Sequence, residues 1–117
     1  MLWFDTGTNL YASVEETEKH VAPTGKLGQY LHEYRFRHAL FQDPSKGVFD
    51  LGDIAWMIKP ELCKSEVIYA PTMDQMMFFD HTKTNGRMLR VYEIDRDGTW
   101  NLFYEKLRQN SEIIRIY

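Results

Sequence analysis

The stretch from Gly47 to Leu62 constrains the fold more than any other part of the chain. It runs from a short apolar pair through Asp50 into a segment with the composition of a helix, and it stops at Pro60. Because proline cannot continue a helix, the pattern predicts a strand that leads directly into a helix over about 51–57. Asp50 lies at the junction. It is a candidate helix cap, which is the common role of an aspartate there, and also the most site-like residue of the sequence.

Length and composition indicate one small globular domain over residues 1–117. Of the 117 residues, 44% are hydrophobic and 26% charged, which is ordinary for a folded domain with its own core. The net charge of −3 argues against a partner bound through a nucleic-acid backbone, which calls for a basic surface. The sequence predicts no membrane segment and no signal peptide. It contains a single cysteine, Cys63, so no internal disulfide can form. Together these features predict a cytoplasmic protein.

Helix-like and strand-like segments alternate along the chain, which predicts an α/β fold with about three to four strands and four helices. The predicted strands are 2–4, 66–70 and 87–94, the predicted helices are 14–20, 27–42, 51–57 and 100–109, and 113–117 is an edge strand or a cover for the core. Such alternation favours a parallel sheet with both faces covered. The chain begins with a core-like strand and so resembles the later part of a larger α/β domain.

Local patterns assign several residues to structural roles. Ser13 and Glu16 have the spacing of a capping box for the first helix, and Asp97 or Thr99 is expected to cap the last one. Trp56 and Met57 are predicted to lie in the core. The Met-rich and Phe-rich stretch 73–79 is either core or a contact surface, and core is the preferred interpretation.

Carboxylates at the start of the 51–57 helix form one candidate metal-binding group. Asp50 and Asp53 are three residues apart, so both can face one side of a helix start and hold a hard cation. Two carboxylates are too few for Ca²⁺, which takes about six to eight oxygen ligands. The remaining ligands of such a site would have to come from elsewhere.

The segment from Phe49 to Leu62 resembles part of the inosine-uridine preferring nucleoside hydrolase family. That family carries roughly His-Asp, then Ala-Val-Ala-Tyr-Leu, then Asp-Pro-Glu in the corresponding order. Phe4-Asp5-Thr6-Gly7 resembles the family's Leu-(Asp/Asn)-Val-Thr strand end, and the segments 13–16, 28–31 and 90–107 resemble further elements in sequence order. The resemblance covers nearly the whole chain, but only as the C-terminal third of that family, with a partial Rossmann-like fold.

The resemblance implies hydrolysis of the N-ribosyl bond of nucleosides. In the family an aspartate cluster binds Ca²⁺, which lowers the pKa of a bound water that then attacks the sugar. By position, Asp50 matches the aspartate that completes the calcium shell, whereas Asp53 falls at a position where the family has a small residue and is not carried over. Phe49 occupies the position of the histidine that protonates the leaving base in many members, and so is a candidate substrate contact.

The rest of the family's site has no counterpart in these 117 residues. The N-terminal Asp-x-Asp-x-x-x-Asp-Asp cluster and the Asn and Glu residues that grip ribose are absent from the sequence. The expectation is therefore a hydrolase portion that is inactive as an isolated chain and binds nucleoside only in a complete site. The missing N-terminal part would be present in a longer chain or supplied by a separate polypeptide, and the other expected partner is a second copy in a homo-oligomer. The alternative is a non-catalytic remnant or a protein-interaction module.

Overall fold

The computed structural model describes residues 9–37 and 45–116, and over these ranges the chain is a mixed α/β structure. The described residues form four α-helices, α1 (Val14–His20), α2 (Lys26–Leu31), α3 (Leu51–Ile58) and α4 (Arg96–Ile116). The same ranges contain four strands, β1 (Tyr11–Ser13), β2 (Ser45–Gly47), β3 (Cys63–Met73) and β4 (Phe79–Ile94). These numbers agree with the sequence prediction. The predicted strand 2–4 lies outside the described residues.

The strands form two separate pairs within the described residues, and both pairs are antiparallel. The parallel arrangement expected from the alternation of elements is not found in this part of the chain. The reason is the connection between β3 and β4. It is a tight turn in which the Asp74 carboxylate accepts hydrogen bonds from the backbone amides of Met76 and Phe78. A turn this short joins antiparallel strands, whereas a parallel pair needs a long crossover.

The first helix begins as the sequence predicts. The Ser13 hydroxyl accepts a hydrogen bond from the Glu16 amide at 3.1 Å, and the Glu16 carboxylate accepts one from the Ser13 amide at 3.0 Å. Both donors would otherwise lack a helical partner, so the reciprocal pair fixes where α1 starts.

The second helix is shorter than predicted, because α2 ends at Leu31 and the chain continues as a π-helical turn, His32–Arg37. The i→i+5 bonding of a π-helix lengthens each turn. His32 and Phe36, four residues apart in this turn, both lie on the buried side. The predicted continuation to residue 42 lies outside the described residues.

The last helix is longer than predicted and is capped by a different residue. The Asp95 carboxylate accepts a hydrogen bond from the Gly98 amide at 3.0 Å, so Asp95 is the cap rather than Asp97 or Thr99. Residues 113–116 are helical, and the prediction of an edge strand there was wrong. No glycine or proline interrupts the end of the helix, and Asn110 bonds back to the carbonyl of Lys106.

The main core is built around the Trp100 side chain, which is almost completely buried. Its indole ring meets Phe36 edge-on with ring centres 6.1 Å apart, and it contacts Phe103 and Tyr104 at 5.7 and 5.8 Å. The other buried members of this cluster are Ala12, Val21 and Leu107. A second, smaller cluster joins Leu10, Ala55 and Ile94. The two clusters dock β1, α1 and α3 onto the first turns of α4 and the end of β4.

Three predictions of buried residues were wrong. Met57 is 76% exposed and Trp56 is 36% exposed. Five large apolar side chains of the 73–79 stretch are also exposed, namely Met73, Met76, Met77, Phe78 and Phe79. Within the described residues β3 and β4 form a ribbon only two strands wide. A two-stranded ribbon cannot bury both of its faces, so an apolar sequence there leaves apolar surface exposed.

Replacing Ser13 with alanine tests the capping box. We expect Ser13→Ala to lower the free energy of unfolding by about 1 kcal/mol, because the Glu16 amide loses its acceptor. Urea denaturation followed by tryptophan fluorescence measures the change. Ser65→Ala, on exposed strand surface, serves as the control and should change stability by less than about 0.5 kcal/mol. Equal losses in both variants would show that the box does not hold α1.

Candidate functional site

Asp50 lies immediately before α3, at the position that the sequence predicts, but it does not cap the helix with its side chain. Its backbone already has helical angles, φ −69° and ψ −14°, and its carboxylate makes no capping hydrogen bond. The turn is closed instead by backbone bonds from Leu51 to Val48 and from Gly52 to Phe49. Among the described residues the Asp50 carboxylate has no hydrogen-bond or ion-pair partner, so it is exposed and available to bind something else.

The neighbours of Asp50 also face solvent. Asp53, in the first turn of α3, is exposed, and so is 43% of Phe49. The Phe49 ring lies over Gly47, where an added Cβ would come within 2.5 Å of a ring carbon. Glycine at that position therefore lets the aromatic ring fold back over the end of β2. The sequence-predicted site residues Phe49 and Asp50 thus share one exposed junction.

The described residues do not assemble a complete metal site at this junction. No group of three or more His, Cys, Asp or Glu side chains in residues 9–37 and 45–116 is arranged to hold a metal ion. The donor set given by Asp50 and Asp53 offers at most four oxygens, and Ca²⁺ needs more. The residues that the structure describes therefore do not by themselves fit a calcium ion.

A second polar group, which the sequence did not predict, lies where α1 meets α4. The Arg96 guanidinium donates two hydrogen bonds to the Tyr11 carbonyl, at 3.1 and 2.7 Å, and one to the Glu16 carboxylate at 2.6 Å. It also pairs with Asp97 and lies over the Tyr11 ring, 5.0 Å from its centre. Arg96 is thus fully engaged, and its role is to hold the N-terminal and C-terminal segments together.

This ion pair changes the proton affinity of several groups. The hydrogen bond from Arg96 lowers the pKa of Glu16, against the opposing effect of partial burial. Glu16 in turn raises the pKa of Arg96, which stays charged. Burial raises the pKa of the neighbouring Tyr104 hydroxyl, and the Glu16 charge adds to that shift. A small cavity of about 230 Å³ lies beside these groups, and the Glu16, Arg96 and Asp97 side chains that line it are already paired with one another.

A buried histidine marks a second cavity, of about 480 Å³, between α1 and the π-helical turn. The Thr17 hydroxyl donates to the Val14 carbonyl and lies 3.0 Å from Nδ1 of His32. Since the hydroxyl hydrogen is used by Val14, Nδ1 carries the proton that the Thr17 oxygen accepts. The sequence signal for this pair was weak, because Thr17 and His32 are far apart along the chain.

Comparison with known proteins adds no relative. No protein-family model matches the chain, and no curated protein matches it. Within the described residues, no helix has the length and apolar character needed to cross a membrane.

The Glu16–Arg96 pair predicts a pH dependence of stability. A carboxyl whose folded pKa is lowered stabilises the fold above its unfolded value of about 4.5, and loses that contribution as the pH falls below it. We expect Glu16→Gln, which keeps the capping box, to destabilise the protein at neutral pH. The loss should be no more than about 1 kcal/mol because the Glu16 side chain is 36% exposed.

The difference between Glu16→Gln and the unchanged protein should shrink as the pH falls below 4.5. Urea denaturation at neutral and acidic pH measures it. Glu15→Gln, one position away and without an ion pair in the described structure, is the matched control and should show no such trend. A constant difference at all pH values would contradict the assignment of the pKa shift to this pair.

Proposed function

We propose that this chain is the C-terminal portion of a nucleoside hydrolase-like protein, with a Rossmann-like architecture in its complete form. Its contribution to the site is Asp50, one carboxylate among several, and the reaction is hydrolysis of the N-ribosyl bond. The observation that carries the proposal is the unengaged Asp50 carboxylate at the junction before α3. The carboxylate of an aspartate that caps a helix accepts hydrogen bonds from backbone amides, and the Asp50 carboxylate accepts none of these.

The surroundings of Asp50 support a role within a larger assembly. The side of α3 that follows it exposes apolar side chains, Ile54, Met57 and Ile58. In an α/β domain, a layer exposes large apolar residues on the side against which another layer packs. The apolar residues beside the free Asp50 carboxylate form a surface of this kind. The described residues hold too few ligands for calcium, so the other ligands and the groups that bind ribose must come from outside them. The isolated chain is accordingly expected to be inactive.

Phe49 bears on the leaving group. By the resemblance it occupies the position of the histidine that protonates the departing base. Phenylalanine cannot donate a proton, so in this protein the ring can only stack on the base, and the proton must come from another group. The Phe49 side chain is 43% exposed beside Asp50.

The test compares the chain alone with a longer version that includes the protein sequence encoded upstream of Met1, if that sequence supplies an aspartate-rich strand end. We expect no nucleoside turnover by the chain alone and turnover by the longer version in the presence of Ca²⁺. In the longer version Asp50→Asn should reduce turnover by more than about 100-fold, since it removes a metal ligand. Release of free base from inosine and uridine measures the reaction, and calcium titration calorimetry measures binding.

Asp53→Asn is the matched control, because Asp53 lies on the same turn of α3 but is not carried over from the family. It should leave both turnover and calcium affinity nearly unchanged. Turnover by the isolated chain would overturn the proposal that the site is incomplete. Equal effects of the two substitutions would overturn the assignment of Asp50.

A second candidate function is a protein-interaction module, and the exposed β3–β4 ribbon favours it. Val67, Tyr69 and the apolar residues of the 73–79 turn are exposed together on one projecting element. Patches of this kind in folded proteins mark surfaces that bind other proteins. This candidate predicts a defined oligomer without any dependence on calcium.

A further inference from the structure

The outer edge of β3 is regular along its middle. Residues Ser65 to Tyr69 face Val91 to Arg87 of β4 without interruption, and the shifts in register lie on either side, between Lys64 and Ser65 and beyond Tyr69. In a strand of this kind alternate backbone N–H and C=O groups point away from the partner. No other described strand pairs with β3, so along this stretch its outward backbone groups are available for another strand.

Two apolar side chains of this stretch, those of Val67 and Tyr69, are largely exposed. Val67 is 63% exposed and Tyr69 is 68% exposed, and both lie on the face that carries Cys63 at the base of the strand. Cys63 packs against the Leu10, Ala55 and Ile94 cluster, so at the start of β3 this face of the strand is part of the core. Farther out on this face, Val67 and Tyr69 are largely exposed in the part of the chain that the structure describes. The apolar stripe thus runs past the end of the core that it belongs to.

The usual protections of an edge strand are missing between Ser65 and Tyr69. Natural edges carry lysines, prolines or bulges that prevent pairing with another chain. The only charged residue in this stretch is Glu66, and it forms an ion pair with Arg90 of its own ribbon at 3.1 Å. Lys64, just outside the stretch, is likewise held by Glu93 at 2.9 Å. Neither charge is left to repel an approaching strand.

We propose that β3 pairs with β3 of a second copy of this chain, antiparallel and centred on Val67. A twofold axis normal to the sheet then sets Val67 opposite Val67, Ser65 opposite Tyr69, and Glu66 opposite Ile68. The two ribbons become one four-stranded sheet, with the apolar stripes of both copies on the same face. A sheet of three or more strands with an apolar face is more stable than an isolated pair of strands. In the part of each copy that the structure describes, the pairing therefore widens the sheet on its β3 side and fills the open β3 edge.

The sequence of the edge favours a second copy over an unlike partner. In the proposed register each charged residue faces a neutral one, with Glu66 opposite Ile68 and Lys64 opposite Ala70, so no two like charges lie directly opposite each other. The apolar side chains at the centre also suit a second copy. Val67 lies opposite Val67 across the axis, and an apolar pair directly opposite each other on neighbouring strands is stabilising.

The symmetry axis gives the proposal a sharp test. A charge placed at Val67 would face its own copy, so Val67→Lys and Val67→Glu should each weaken self-association at least about tenfold, through like-charge repulsion and lost apolar contact. When the two variants are mixed, the opposite charges face each other and association should return. Sedimentation velocity over a concentration series measures all three samples and the unchanged chain, which is expected to be a dimer.

Met57→Lys on α3 is the control, since Met57 is as exposed as Val67 but lies away from the edge, and it should leave the dimer intact. A second measurement needs no added charge. In a Cys63→Ala background, Val67→Cys should form a disulfide between copies in oxidised glutathione, because residues opposite each other across antiparallel strands lie within reach of a disulfide. A Tyr92→Cys variant in the same background should not.

Each outcome decides the proposal. An unchanged chain that is monomeric at every concentration overturns it. Single variants that associate as strongly as the unchanged chain would also overturn it, and so would a mixture of the two variants that stays monomeric. Each of these results would show that the contact between copies does not lie at Val67. The inference identifies the partner of the second candidate function and uses neither calcium nor nucleoside. Its failure therefore leaves the Asp50 experiments untouched, and their failure leaves the dimer untouched.

Discussion

The contact on which the described structure depends is the one that Arg96 makes with the N-terminal segment. Its guanidinium donates to the Tyr11 carbonyl across 85 positions of sequence and pairs with Glu16, the residue that also closes the capping box of α1. One arginine thereby joins β1, the start of α1 and the start of α4. Because the guanidinium fork is rigid and always charged, it sets the direction as well as the distance between these elements. The Trp100 cluster then packs one turn farther along α4.

That arrangement divides the molecule into a packed end and an uncovered end. On the packed side, α1, the π-helical turn and the first turns of α4 bury Phe36, Trp100 and Tyr104. On the other side, α3 and the β3–β4 ribbon leave large apolar side chains in solvent. Asp50 lies on the uncovered side, at the start of α3. The exposed Asp50 carboxylate and the exposed apolar side chains agree with both proposals. A hydrolase site completed by additional protein sequence and a surface used for self-association both require residues that are accessible in the isolated chain.

Sequence reasoning predicted the helices and strands better than their arrangement. The capping box at Ser13 and the helix after Asp50 depend on neighbouring residues only, and both are present where expected. The antiparallel pairing of β3 with β4 depends on a turn in which the Asp74 side chain replaces backbone partners, and the pattern of the strands did not reveal it. Burial was mispredicted for the same reason. An apolar segment such as 73–79 indicates core only if another layer covers it, and coverage is not a local property.

The site was predictable only in part. The position of Asp50 before a helix could be read from the sequence, whereas its failure to cap that helix follows from backbone angles that no residue pattern specifies. The Arg96 contacts and the Thr17–His32 bond join distant positions, which a single sequence does not bring together. With no matching family model, the resemblance to nucleoside hydrolases rests on residue order alone. It remains a prediction for experiment.

The short connection between β3 and β4 also has a consequence for the order of folding. Residues that are close in sequence meet quickly, because little loop-closure entropy opposes them, whereas contacts between distant segments form late. The ribbon is such a local element, and the Arg96 closure onto Tyr11 is the opposite case. The β3 edge is therefore expected to form while the N-terminal segment is still undocked. A newly made chain would then present a strand for pairing before its own core has closed, and the concentration of chains would influence which contact forms first.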